Sequence, residues 1–499
     1  MLYPFWSNNT LSGKDIRASF VNLNINLVKM KRILFYVTAL AVLMLSVWGC
    51  REDPVTGDED DPVIPKETLV VNKWIKDNMD LYYFWNDKIP SGIDYTKESN
   101  SEAYFHKLVY KEKDKWSRIT DDYASLKAEL DGEPLTMGYR PSFFLTGNNR
   151  IVIVVNYVYP GSAAADAGLK RGDIILSIDN TPLDTSNYYD IYSGPNYSVQ
   201  LGRLEGSTLV NTGQSLNMTA RVTNTNPIIF NKVLDIDGHK IGYLVYVEFI
   251  AGASDALLTE MDNIFNEFKT AGISDLIVDL RYNPGGDVSA AVHLASEIAP
   301  FTVTNNKDVL INLKYNTGLE SYFKTNNYSS YLSYRFKTTS ANIDMDRVYF
   351  LTTSGSASAS ELVIVGLEPY MDVIKIGEAT YGKYAGAWVM PDDNEKWAMI
   401  PIVSKFSNAS GYTDFADGLP PDYEIDDNLF GAVPFGDTKD PMLAKAIELA
   451  TGKSGTAKSL RKTETVNFPM IIPEQMKMKS NLYLEGFSSE PEAVRNYAH

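Results

Sequence analysis

The sequence predicts an α/β protein: a large α/β domain, preceded by a β-rich domain and, before that, a small N-terminal helical domain. Three observations carry this expectation. Aromatic and aliphatic side chains recur at three- and four-residue spacing over 66–130, short β runs separated by glycine and proline turns fill 136–224, and apolar strand-like runs alternate with amphipathic helical stretches over 229–455. The 499 residues allow about three units at roughly 150 residues each. A chain that is 44% hydrophobic and 22% charged folds in water, and a formal charge of −17 repels nucleic acid, which removes that class of partner.

The single cysteine, Cys50, excludes an intramolecular disulfide, a zinc knuckle and an iron–sulfur site. The four histidines, His106, His239, His293 and His499, form no HExxH-type pair, so neither a metal site nor a cofactor is expected. The chemistry falls to carboxylates, hydroxyls, lysines and backbone.

From Met30 the chain reads Lys31, Arg32, an uncharged and largely apolar run from Ile33 to Trp48, then Gly49 and Cys50. A basic start and an apolar segment short for a membrane span are the outline of an export signal, with an uncleaved anchor as the alternative. The stretch resembles a bacterial lipoprotein signal with Val47 to Cys50 as its lipobox. That resemblance implies that 1–49 is removed, that the true start is Met30, and that Cys50 carries the lipid. Residues 50–65, acidic and containing Pro62 and Pro65, cannot bury a core and read as a solvated tether. The implied location is the cell envelope, as an outer-membrane lipoprotein on either face.

Over 66–130, Val70, Trp74, Ile75, Met79, Tyr82, Tyr83 and Phe84 mark a helical stripe, expected to bury itself within a small domain. In 136–224 the strands are Ser142 to Leu145, Ile151 to Val155, Ile174 to Ile178, Val199 to Leu204 and Ser215 to Val222. Among them Pro160, Gly161, Ser162, three alanines and Asp166 form a short helix, Gly168 closes it, and Arg171, Gly172 and Asp173 lead into the next strand. The Gly161-to-Ile178 run resembles a PDZ domain of bacterial proteases, which implies peptide binding by strand addition with Met137, Gly138 and Tyr139 as the carboxylate-binding loop.

Two strand-to-helix junctions in 229–455 carry chemistry. The first runs from Asp279 through Leu280, Arg281, Tyr282, Asn283 and Pro284 to Gly285 and Gly286. Paired glycines there expose N–H groups to an anionic oxygen, as in an oxyanion hole; a phosphate site lacks its following Walker lysine, and a structural turn stays open. The second is Ser354-Gly-Ser356-Ala-Ser358-Ala-Ser360-Glu361, which presents hydroxyls at a helix N-terminus. Serine needs a base. Lys383, held between turn residues after Gly377, Glu378, Ala379, Thr380, Tyr381 and Gly382, supplies one.

These three runs, in this order behind a PDZ-like domain, resemble the carboxyl-terminal processing (tail-specific) peptidases across roughly 137–450. The resemblance implies a ClpP/crotonase-like catalytic domain and a serine endopeptidase with a Ser/Lys dyad. Ser358 is then the nucleophile and Lys383 the general base, and the amide of Ala359 with that of Gly285 or Gly286 holds the oxyanion. Lys383 must be neutral to act, so burial has to depress its pKa from about 10.4. The family often carries a glutamine four residues after the lysine, where this chain has Ala387. Either the dyad suffices, another residue orients the lysine, or the enzyme is slow or degenerate, the last making a peptide-binding envelope lipoprotein the alternative. The expected partners are protein or peptide substrates with an accessible C-terminal segment and, through the lipid, the membrane. Residues 456–499 form an extension without a motif.

Overall fold

The structure is a computed structural model that describes residues 63–453 and 468–472. The export signal, Cys50, most of the tether and His499 lie outside the described residues. Among the described residues no helix is long and apolar enough to cross a membrane.

Six strands build the central sheet in the order Ile228–Ile236, His239–Tyr246, Asp275–Asp279, Arg347–Thr352, Asp372–Gly377 and Tyr423–Glu424. The first pair is antiparallel and all later pairs are parallel. Both faces are covered, so these strands read as continuous apolar runs. Leu276, Val278, Val348 and Phe350 face a core that includes helices Ala256–Ala271, Val288–Ile298 and Ala359–Leu367. Their neighbours Ile277, Tyr349 and Leu351 face Met442, Leu443 and Ala446 of helix Pro441–Thr451. Gly272 closes the 256–271 helix in a left-handed conformation, φ +66°, as the glycine after that periodic run predicts.

Of the predicted strands of the β-rich domain, Ile174–Ile178 has its expected bounds, Tyr139–Thr146, Arg150–Val158 and Asn196–Glu205 are longer, and the run expected over 215–222 is divided into Thr208–Thr219 and a separate two-residue strand, Arg221–Val222, paired with Leu135–Thr136. A strand at Thr181–Asp184 and a helix at Tyr188–Tyr192 are additions that the sequence reading did not contain. Ile153, Val155, Ile175, Ile178, Leu183 and Val199, all fully buried, form the core. Helix Ala163–Ala167 is capped by the Ser162 hydroxyl on the Ala165 N–H and ends at left-handed Gly168.

Two expectations change. Residues 66–130 form helices Lys66–Tyr82, Ser101–Leu108 and Tyr123–Leu130, but they do not close a core of their own. Strand Arg118–Thr120 pairs with Ala398–Ile400, the Phe84 N–H donates to the Ile402 carbonyl, and Asn316 Nδ2 donates to the carbonyls of Leu81 and Tyr83. Ile75, Met79, Tyr82 and Tyr83 share one apolar cluster with the α/β domain, because a three-helix unit this small buries too little surface alone. The second change concerns the motif-free C-terminal extension: Met470–Ile471 is a strand of the β-rich sheet, antiparallel to Tyr139–Thr146 at its outer edge.

Arg171, from the turn before Ile174–Ile178, joins the two domains. Its guanidinium, buried to 7% side-chain exposure, donates to the Tyr282 hydroxyl (2.7 Å), the Asn156 carbonyl (2.8 Å) and the Val433 carbonyl (3.1 Å), and lies 3.7 Å from Asp427. Arg281 continues the network, bonding Asp279 (2.6 Å), Asp440 (2.8 Å) and Asp427 (3.1 Å). Asp279 and Arg281 of the first junction are thus structural anchors for the turn that carries the glycines.

Candidate active site

Strand Arg347–Thr352 delivers the serine-rich turn to the N-terminus of helix Ala359–Leu367. Ser356, Ser358 and Ser360 are all fully buried, and their hydrogen bonds separate them. Ser356 Oγ donates to the Leu280 carbonyl (2.7 Å) and accepts from the Thr353 N–H (3.0 Å). Ser360 Oγ donates to the Asn283 carbonyl (2.9 Å). These bonds stitch the second junction to the first. Ser358 Oγ alone of the three donates to no acceptor among the described residues; the one group placed to donate to it is the Glu361 N–H of its own helix cap. Its backbone sits at φ +57°, ψ −111°, a conformation costing about 1–3 kcal/mol in a residue other than glycine and therefore held by its surroundings.

Those surroundings centre on Glu361, a residue to which the sequence reading gave no role. Its Oε2 accepts from the Ser358 N–H (2.7 Å) and the Lys383 N–H (2.9 Å). Its Oε1 accepts from the Thr380 hydroxyl (2.5 Å) and the Gly382 N–H (2.6 Å). One carboxylate therefore joins the serine turn to the lysine turn, with Ser358 and Lys383 on the same oxygen. Burial pushes its pKa up to about 7, against the pull of all four donors. Thr380 is clamped in turn, its hydroxyl accepting from the Leu419 N–H (2.7 Å). The Asp417-Gly-Leu segment packs so closely here that a Cβ on Gly418 would meet the Thr380 carbonyl oxygen at 2.0 Å. Lys383 is buried at 3% exposure and borders a cleft of about 300 Å³ between the two domains, with Pro284, Gly355, Ala357, Tyr381 and Arg140.

The glycine turn lies against the serine. A Cβ on Gly285 would stand 2.8 Å from Ser358 Cβ and 3.0 Å from the Ala359 nitrogen, and Gly285 adopts φ +108°. Its N–H donates to Asn283 Oδ1 (2.9 Å), so the amide not committed to that bond is that of Gly286. Ala359 is the first residue of the helix, where unpaired N–H groups and the helix field favour an anionic oxygen. Ala387 is buried in strand Ala385–Ala387, paired with Ile402, and contributes no polar side-chain atom.

In the loop predicted to bind a carboxylate, the Gly138 N–H donates to the Thr136 hydroxyl (3.0 Å). The Met137 carbonyl accepts from the Ala164 N–H and the Gly138 carbonyl from the Tyr159 N–H, both at 2.9 Å, while Met137 and Tyr139 point into the domain core. His239 pairs with Asp275 and His293 with Asp262, each at 2.7 Å, and neither lines the cleft.

A serine hydroxyl that donates to nothing at a helix N-terminus, a buried lysine on the adjoining turn and a β-rich domain beside the cleft fit a serine-type peptidase. Residues 240–425 match the model of peptidase family S41, residues 70–118 that of the peptidase S41 N-terminal domain, and residues 154–199 a PDZ domain. The carboxyl-terminal-processing protease of Picosynechococcus is 23% identical over 437 residues, 84% of this chain and 96% of that one. Carboxyl-terminal-processing peptidase 2 of Arabidopsis thaliana, a chloroplastic protein, is 25% identical over 75% of this chain and 70% of its own. A solved chain from Bacteroides fragilis assigned to the S41 proteases superposes with a TM-score of 0.64 at 27% identity, covering 76% of this chain and 97% of that one. Residues 240–425 carry a peptidase S41 domain behind a PDZ domain, and the chain is a serine-type peptidase, a hydrolase of peptide bonds.

Proposed function

We propose that Ser358 and Lys383 form the catalytic dyad of a carboxyl-terminal processing endopeptidase. Ser358 Oγ attacks the scissile carbonyl while Lys383, as the neutral amine, takes the hydroxyl proton. The oxyanion is met by the amides of Ala359 and Gly286, and the lysine returns its proton to the leaving amine. Water then repeats the sequence on the acyl-enzyme. The supporting observation is that, of three neighbouring buried serines, only Ser358 donates its hydroxyl proton to no acceptor, and its amide shares a carboxylate oxygen with that of Lys383. Glu361 replaces the missing glutamine in part: it fixes the lysine's main chain rather than its side chain.

The substrate is an extended or unfolded chain, taken near its carboxyl end and presented by the PDZ domain, in keeping with the processing activity that names the relatives. The mature protein starts at Cys50 and is exported and lipid-anchored at the cell envelope, a reading that rests on the signal-like run alone. The test is cleavage of an unfolded protein by residues 51–499, beside Ser358→Ala and Lys383→Ala. Turnover by the parent and a loss of about 10⁴-fold or more in each variant is expected. Equal inertness of all three, folded, across pH 6 to 10 sinks the dyad.

A further inference from the structure

The free edge of the β-rich sheet is already occupied by this chain. Met470 pairs with Phe144 and Ile471 with Phe143, and the Leu145 N–H donates to the Pro469 carbonyl (2.9 Å). Without this strand, Tyr139–Thr146 would present an open row of N–H and C=O groups, the surface to which an extended peptide adds. The segment is seated on both domains. Ile471 packs on the same apolar cluster as Tyr188, Ile191 and Tyr192 of the 188–192 helix, while Phe468 lies edge-on to Phe430 at 5.5 Å. Phe430 in turn meets Phe144 of the edge strand at 4.8 Å.

Its position bears on catalysis. Met470, Ile471 and Ile472 line the cleft that Lys383, Ala357 and Pro284 border. The antiparallel register runs the segment toward Arg140, Pro141 and Ser142, which form a wall of that cleft. The attachment is slight, with two ladder pairs and with Met470 and Ile472 about half exposed, so a competitor can displace it. What holds it is its tether to the same chain, which raises its local concentration to the millimolar range.

We propose that Phe468–Ile472 is an intramolecular ligand of the peptide-binding edge, an apolar strand that substrates must displace before they reach Ser358. The peptidase is thereby restrained by its own tail and selects extended segments of similar apolar character. The proposal rests on the dyad reading only in its consequence for turnover, and binding tests it separately. The probe is the labelled pentapeptide Phe-Pro-Met-Ile-Ile, capped at both ends, titrated into the Ser358→Ala chain of residues 51–499 with and without Ile471→Asp. Removing the tethered competitor should tighten binding at least tenfold and speed hydrogen exchange at the Leu145 amide. Phe468→Ala, on the other anchor, should act in the same direction. Equal affinity in the parent and both variants, all folded, overturns the proposal. In the Ser358 background, Ile471→Asp should lower KM for an unfolded substrate by 3- to 10-fold at unchanged kcat. If affinities differ while no chain cleaves anything, the tail proposal stands and the dyad falls; if all chains cleave with one KM and bind alike, only the tail proposal falls.

Discussion

The serine–lysine turns and the peptide-binding edge lie on the same cleft and are built to opposite rules. At the first, the side chains of Ser356, Ser360, Thr380 and Glu361 are buried and bonded, and the Ser358 hydroxyl is the one that donates to nothing. At the second, a two-residue strand with half-exposed side chains closes the sheet. Buried, hydrogen-bonded side chains hold the first region in one geometry, whereas the second is closed by contacts weak enough to exchange. Changes in the first region should therefore act on kcat, and changes in the second on KM.

After the dyad itself, the largest expected effect is at Glu361. Glu361→Gln offers an amide where two or more donors point, so the serine and lysine turns lose their shared acceptor. Steady-state kinetics should show kcat reduced about 10²-fold with KM little moved. A comparable rise in KM at constant kcat would break the division between the regions. Next comes the joint between them. Arg171→Met removes a cation buried beside Asp427 and leaves the Asn156 and Val433 carbonyls without their donor. Urea unfolding should register a loss of about 3 kcal/mol.

The smaller effect is in pH dependence. Because burial raises the Glu361 pKa to about 7 from 4.5, the native state keeps a proton that the unfolded chain releases. The stability this group contributes is therefore full below pH 4.5, declines as pH rises toward 7 and is level above, a total of about 3 kcal/mol if it acts alone. Thermal melts across that range should lose this component in Glu361→Gln; an unchanged slope would place the titration elsewhere.

How much of this was legible in the sequence follows the range of the interactions. The junctions at Gly285–Gly286 and Ser354–Glu361 were readable because glycine pairs and small-residue turns are local signals. Glu361 stood in plain view, but a glutamate three residues into a helix reads as a cap; its role comes from Thr380, Gly382 and Lys383, which the parallel pairing of strands 347–352 and 372–377 brings to it. The aromatic stripe is helical as far as Tyr82, with Tyr83 and Phe84 beyond the helix end, and the surface it packs on, near Asn316 and Ile402, is remote in sequence. Strand Met470–Ile471 carries only a weak signal, the apolar run from Phe468 to Ile472, because two residues become a strand only beside an open edge.

The enclosure of Ser358 also dictates how the enzyme should answer a chemical label. A hydroxyl with no exposed surface meets an organophosphorus reagent only during moments when the cleft parts. Inactivation should then saturate at high reagent concentration, and its plateau would be a clock for breathing of the molecule rather than a measure of nucleophilic strength.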